Sequence, residues 1–210
     1  MELFLAVFAS LISIVNPLGG ISIFLSFTPG YTAQERSKTA VWTSFYFFLI
    51  LISFFIAGSW ILSFFGISLA SIMIAGGMVI FASGVSLLQG TSASSRAITD
   101  QVKKEAIRSD DISFTPMAMP MLSGPGSISL LISLHTEFTN WGDRAIIAAV
   151  VLVTAVVIWL CLSSATFIYR MLGEAGIKGI SRIMGFIVMA IGVQYVINGM
   201  MLLMEQMQLI

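Results

Sequence analysis

Charge is what this sequence has least of. Of its 210 residues only 10% are Asp, Glu, Lys or Arg, and ten basic side chains balance ten acidic ones to a formal net charge of +0. Binding a phosphate backbone takes a basic run or stripe. Here the cations lie scattered in short polar connections, so no nucleic-acid partner is expected. Cys161 is the only cysteine and sits inside an apolar run, which excludes an internal disulfide and leaves the thiol as a packing group. One histidine and one thiol do not make a metal site, which needs several ligands. No cofactor is expected, and the sequence names no coupling ion.

Catalytic patterns are missing as well. There is no H-E-x-x-H pair, no G-x-S-x-G elbow, no pair of carboxylates within an apolar run and no serine with a base beside it, so the chain is not expected to be an enzyme. No Asp, Glu, Lys or Arg stands in the middle of any apolar run. Because an ionisable group in lipid is costly unless it has a task, this argues against a proton relay built on buried charge. His135, at the end of one such run, reads as an interfacial histidine.

What the chain has in abundance is apolar surface, with 58% hydrophobic residues and a mean hydropathy of +1.00. A spanning helix takes about 20 mostly apolar residues, so this length holds roughly six spans and no separate catalytic domain. The apolar segments run over residues 3–27, 40–65, 67–88, 112–134, 145–169 and 183–204. Residues 91–111 are the one extended polar stretch and read as a linker between a first unit, 1–90, and a second, 112–210. Ile98, Val102 and Ala106 in that linker recur at helical spacing, a weak sign of a surface helix. Glu2, with no Lys or Arg before the first apolar run, argues that the N-terminal segment is not a cleaved signal. Polar connections are expected over 28–39, around His135 to Arg144, and from Arg170 to Arg182. Gly66 should end the second segment. Ala75-Gly76-Gly77 and Ser83-Gly84 read as small residues that allow helices to pack closely.

Two segments are interrupted. Asn16-Pro17-Leu18-Gly19-Gly20 breaks the first, and Ser123-Gly124-Pro125-Gly126 breaks the fourth, which also holds Pro116 and Pro120. Proline removes a helix hydrogen bond and clashes with the preceding turn, and glycine adds backbone freedom. Lipid does not tolerate unpaired backbone groups, so such breaks persist where protein or a watery cavity satisfies them. The two breaks are therefore expected to face each other. Half-helices beginning at Pro17 and Pro125 would offer free N–H groups to a carboxylate, and half-helices ending before the breaks would offer carbonyls to an ammonium group. The candidate substrate-binding residues are Asn16, Pro17, Gly19, Gly20, Ser22, Ser123, Gly124, Pro125, Gly126, Ser127 and Ser129. The competing reading is that the breaks only bend helices for packing.

Laying the second half on the first at an offset of about 107 to 110 residues aligns both breaks. It also aligns Gly66-Ile67 with Gly176-Ile177, Gly76 with Gly185, Gly84-Val85 with Gly192-Val193, and Gly90 with Gly199. This predicts an all-α membrane protein of two three-helix repeats, inverted because each holds an odd number of spans. With six spans, nine of the ten Lys and Arg residues fall on one side and only Arg144 on the other. The positive-inside rule places the nine in the cytoplasm and both termini outside. Folding both broken segments back as re-entrant hairpins weakens that split to seven against three.

The N-P-L-G-G break, the stretch Ala118-Met119-Pro120-Met121-Leu122-Ser123-Gly124-Pro125-Gly126, Gly66-Ile67-Ser68 followed by Ile74-Ala75-Gly76-Gly77, and Ile180-Ser181-Arg182-Ile183-Met184-Gly185 resemble the MarC family. The resemblance covers nearly the whole chain, and the family in turn resembles the LysE-type exporter superfamily. It implies a multi-pass protein of the cell inner membrane and transport of small neutral amino acids such as glycine and alanine, as described for archaeal relatives. It brings no ligand residues with it. The function expected is transport or export of a small polar solute by alternating access; the alternatives are a structural or assembly protein without flux, or a small-solute channel. Apart from the bilayer, the small-residue faces are compatible with a homo-oligomer.

Overall fold

In a computed structural model, residues 1–89 and 111–207 are described. Gly90 and linker residues 91–110, with Ile98, Val102 and Ala106, lie outside them.

Asn16 both ends one helix and starts the next. It adopts the left-handed conformation, at φ 47°, and its N–H closes α1 (Glu2–Val15) on the Ile12 carbonyl at 2.9 Å. Its side-chain oxygen accepts from the Gly19 N–H at 3.2 Å, which caps α2 (Pro17–Phe27). Pro17, at the first helical position, has no N–H to satisfy. The interruption is therefore one residue wide, as the local sequence predicts.

The second break is built differently. Ser113–Leu122 was expected to hold a half-helix, but Thr115 (φ −118°, ψ 124°) and Met119 (φ −131°, ψ 127°) are extended. Each precedes a proline, whose ring disfavours the helical region for its neighbour, and both X-Pro bonds are cis. Two wide turns result, closed by Met117 N–H to Ile112 O at 3.3 Å and Ser123 N–H to Ala118 O at 2.8 Å. The helix proper, α5 (Pro125–Glu137), begins after the break, with a bend of 66° between the two pieces.

The remaining helices are α3 (Ala33–Phe65), α4 (Leu69–Leu88), α6 (Trp141–Ser163) and α7 (Ala165–Gln206). Among the described residues five stretches are long and apolar enough to cross a membrane, counting α1 with α2, and six if the bent pair is one span. The expected polar connections shrink. Helix α3 starts at Ala33 because Thr32 and Glu35 form a reciprocal capping box. Asn140 caps α6 through Gly142, which puts Asp143 and Arg144 in its first turn, while His135 and Glu137 belong to the last turn of α5. Arg170 to Arg182 is not a loop but part of α7, broken only at Gly173 (φ 65°, ψ 176°). Gly66 ends α3 in the left-handed conformation as expected, at φ 64° and ψ 28°; Gly176, aligned with it in the sequence, lies inside α7. His135, in the last turn of α5, is packed inside the protein, 9% exposed with its ring edge-on to Phe55 at 5.2 Å.

Packing orders these elements. Gly77 and Gly84 on α4 face Gly192 and Gly185 on α7, so that a Cβ on either α4 glycine would lie 2.7 Å from the facing carbonyl oxygen. Gly199 continues the seam against Ala70, 3.0 Å from its carbonyl. Both helices repeat a small residue every seven positions and run antiparallel. Along α3, Tyr46 meets Phe114 at 5.4 Å, Phe55 meets His135, and Gly58 abuts Ile132. These contacts are spread over about 18 Å of α3, from Tyr46 to Gly58. Arg36 ties the start of α3 to the start of α7, donating to Thr28 O at 3.0 Å and to Thr166 Oγ1 at 3.3 Å. The main core gathers Leu11, Ile21, Phe24, Phe47, Leu130 and Ile147 around the two breaks.

Candidate functional site

The two breaks share one cavity. It has a volume of about 250 Å³ and is walled by Asn16, Gly19 and Gly20 from the first break and by Gly124, Pro125, Gly126 and Ser127 from the second. Ile14, Val15, Ile23, Ser83, Leu87 and the Pro120–Leu122 turn complete it. None of these lining side chains is charged.

Its polarity comes from backbone groups and one amide. Because Asn16 Oδ1 is engaged by Gly19, the side chain's Nδ2 is left over; it is buried without a hydrogen-bond partner in a residue only 6% exposed. At the start of α5, Pro125 has no N–H and Ile128 N–H bonds to Gly124 O, while Ser127 Oγ donates to the same carbonyl at 2.9 Å. The Gly126 and Ser127 amides between them are the free first-turn donors of that helix. Two helix N-termini, those of α2 and α5, thus place positive dipole ends at the cavity. Val15, the last residue of α1, also lines the cavity, and the Gly19 N–H that a continuous helix would give to its carbonyl goes to Asn16 Oδ1 instead. The arrangement can hold a small group that both accepts and donates hydrogen bonds, without a counter-ion from the protein.

Seven of the eleven residues singled out in the sequence line this cavity: Asn16, Gly19, Gly20, Gly124, Pro125, Gly126 and Ser127. The other four do not. Pro17 is buried in the first turn of α2, and Ser123 is buried beside the wall with an unpartnered hydroxyl. Ser129 packs on α4, where a Cβ on Gly76 would lie 2.5 Å from its own Cβ. Ser22 faces a second cavity of about 280 Å³, formed with Gly19, Leu87, Tyr169, Glu174, Ile177, Lys178 and Ser181. Ser83 and Leu87 were not expected at the site; the trace they leave in the sequence is their spacing of four on one face of α4. The half-helix expected to end before the second break, with its carbonyls, is replaced by the proline turns.

Comparison with known proteins bears on the chain as a whole. A family model described as MarC family integral membrane protein matches residues 1–204. The chain is similar to a UPF0056 membrane protein of Buchnera aphidicola, 34% identical over 95% of this chain and 92% of that one. It is equally similar, at 34% identity, to a UPF0056 membrane protein of Methanocaldococcus jannaschii, with 95% and 96% of the two chains covered. The inner membrane protein MarC of Salmonella typhimurium is 32% identical, with 96% of each covered. No solved structure matches.

Proposed function

The chain belongs to the MarC family of integral membrane proteins, and on that premise we propose that it transports or exports small neutral solutes, small amino acids foremost, by alternating access around its two helix breaks. One observation carries the reading: both breaks open onto a single cavity with no charged lining, walled by Asn16, whose buried Nδ2 has no hydrogen-bond partner, and by the first turn of α5. A buried polar group without a partner costs stability, and a ligand seated beside Asn16 would offset that cost. The carboxylate of an amino acid fits the donors, and its ammonium group fits the freed carbonyl.

The inverted repeat is supported by the helix seam. At an offset of 108, which pairs Gly185 with Gly77 in place of the Gly76 aligned in the sequence, Gly84 corresponds to Gly192, so the Gly84 to Gly185 contact maps onto the Gly192 to Gly77 contact. Six spans are supported by the antiparallel course of α4 and α7, since a hairpin over 113–137 would leave them parallel. The inner-membrane setting follows the Salmonella relative, with both termini outside by the charge split.

The test is uptake of labelled glycine and alanine into proteoliposomes, with and without sodium and proton gradients. Saturable flux with counterflow is expected. Flux that neither saturates nor shows counterflow would mean a channel, and no flux of any small solute would leave a structural role.

A further inference from the structure

The central cavity has a neighbour. Gly19 and Leu87 line both it and the second cavity, the one reached by Tyr169, Glu174, Lys178 and Ser181. No other residue is common to the two linings. At Gly19 the wall is one backbone thick: an added Cβ would lie 2.5 Å from Asn16 Nδ2, the inner donor, and 3.2 Å from Ser181 Oγ, an outer one. The chambers differ in chemistry. The inner one has no charged lining, whereas the outer one holds the Glu174 to Lys178 ion pair, closed at 2.6 Å with both side chains more than half exposed.

We infer that the second cavity is the antechamber of the central one, in which Lys178 and Glu174 first hold the carboxylate and ammonium of a zwitterionic solute and Leu87 is the gate to Asn16. This rests on the transport reading above and adds a route and a gate to it. The pair suits the task because exposed i,i+4 partners in water hold each other weakly and exchange readily for a ligand. Leu87 suits the gate because it is a single, nearly buried side chain near the end of α4, one helical turn from Ser83 in the inner chamber. Gly173, at a positive φ of 65° with ψ 176° just before Glu174, gives the antechamber's charged turn a backbone joint beside it.

The test does not require knowledge of the solute. In a Cys161→Ala background, Ser22→Cys reports the antechamber and Ser83→Cys the inner chamber. A membrane-impermeant trimethylammonium-ethyl thiosulfonate is applied to vesicles of each orientation. Both positions should react from the same membrane face, Ser83→Cys at least about tenfold more slowly, and Leu87→Ala should close that gap. Leu87→Val carries the same expectation, with a smaller gain, should the alanine variant fail to assemble. Equal rates with Leu87 intact, reaction from opposite faces, or an inner position that stays protected when Leu87 is trimmed would each overturn the gate. In the transport arm, Lys178→Gln and Glu174→Gln should raise KM for labelled alanine at least about threefold, with a smaller change in kcat; an unchanged KM removes the pair from the route. Intact labelling differences without alanine flux would sink the amino-acid reading and keep a gated path, and flux without labelling differences would do the reverse.

Discussion

Gly84 and Gly185 meet backbone to backbone, each placed so that a Cβ on it would come within 2.9 Å of the other's carbonyl oxygen. Repeated at Gly77 with Gly192, this contact lets α4 and α7 approach more closely than any other residue type allows, and it fixes the wall against which both breaks are held.

Gly192→Ala should therefore destabilise the protein. Its Cβ would meet Phe81 N at 2.5 Å and Gly77 O at 2.7 Å, backbone atoms that cannot swing aside. A cost of about 1–3 kcal/mol is expected for such overpacking, read as a lower unfolding midpoint in detergent. Gly179→Ala is the control. Nothing lies within 4 Å of it, so the change should be neutral or stabilising by about 0.5–1 kcal/mol.

Asn16→Asp separates binding from folding. The variant keeps an oxygen for the Gly19 N–H and so retains the helix cap, but it replaces the unpaired Nδ2 by a second acceptor. Loss of a hydrogen bond to a carboxylate, worth about 1.5–3 kcal/mol, should weaken solute affinity at least about tenfold. Unchanged affinity by calorimetry or transport KM would remove Asn16 from the site.

Two adjacent glycines should respond unequally. Gly19→Ala pushes a methyl against Asn16 Nδ2 at 2.5 Å, whereas Gly20→Ala makes only an ordinary 3.5 Å contact with Leu122 Cδ2. Flux should fall at least about tenfold in the first, because a misplaced cap and donor act together, and stay near wild type in the second.

Arg144→Lys should behave like Arg144→Ala. The guanidinium donates to Phe138 O at 2.9 Å and His135 O at 3.1 Å and lies 5.9 Å from the Trp141 ring, a fork a lysine cannot reproduce. Losing these charge-assisted bonds at the end of α5 should cost about 1.5–3 kcal/mol in unfolding free energy.

Much of the architecture was legible locally. The Asn16 cap, Pro17 at the first helical position and the left-handed Gly66 follow from residue types and their neighbours. The apolar segments follow from their lengths. The boundaries were less legible where polar residues continued a helix, as from Ala33 and through Arg170 to Arg182, because capping and i,i+4 pairs hold polar turns as well as apolar ones. The proline turns at Ser113–Leu122 escaped because sequence marks where a helix fails without saying what replaces it.

By itself, then, the sequence determined that this chain belongs in a bilayer, that it holds several apolar helices, that two of its apolar segments are interrupted, and that no Asp, Glu, Lys or Arg stands at either interruption. Those properties depend on composition and on neighbours within a few residues. Only the tertiary structure decided that Ser127 enters the cavity while Ser129 packs on Gly76 and Ser22 faces another chamber, and that Ser83 and Leu87 of α4 complete the site. The reason is rotational. Serines on one helix point about 100° apart per residue, and which direction meets a cavity is set by the neighbouring helices, here by how closely the glycine seam lets α4 and α7 approach.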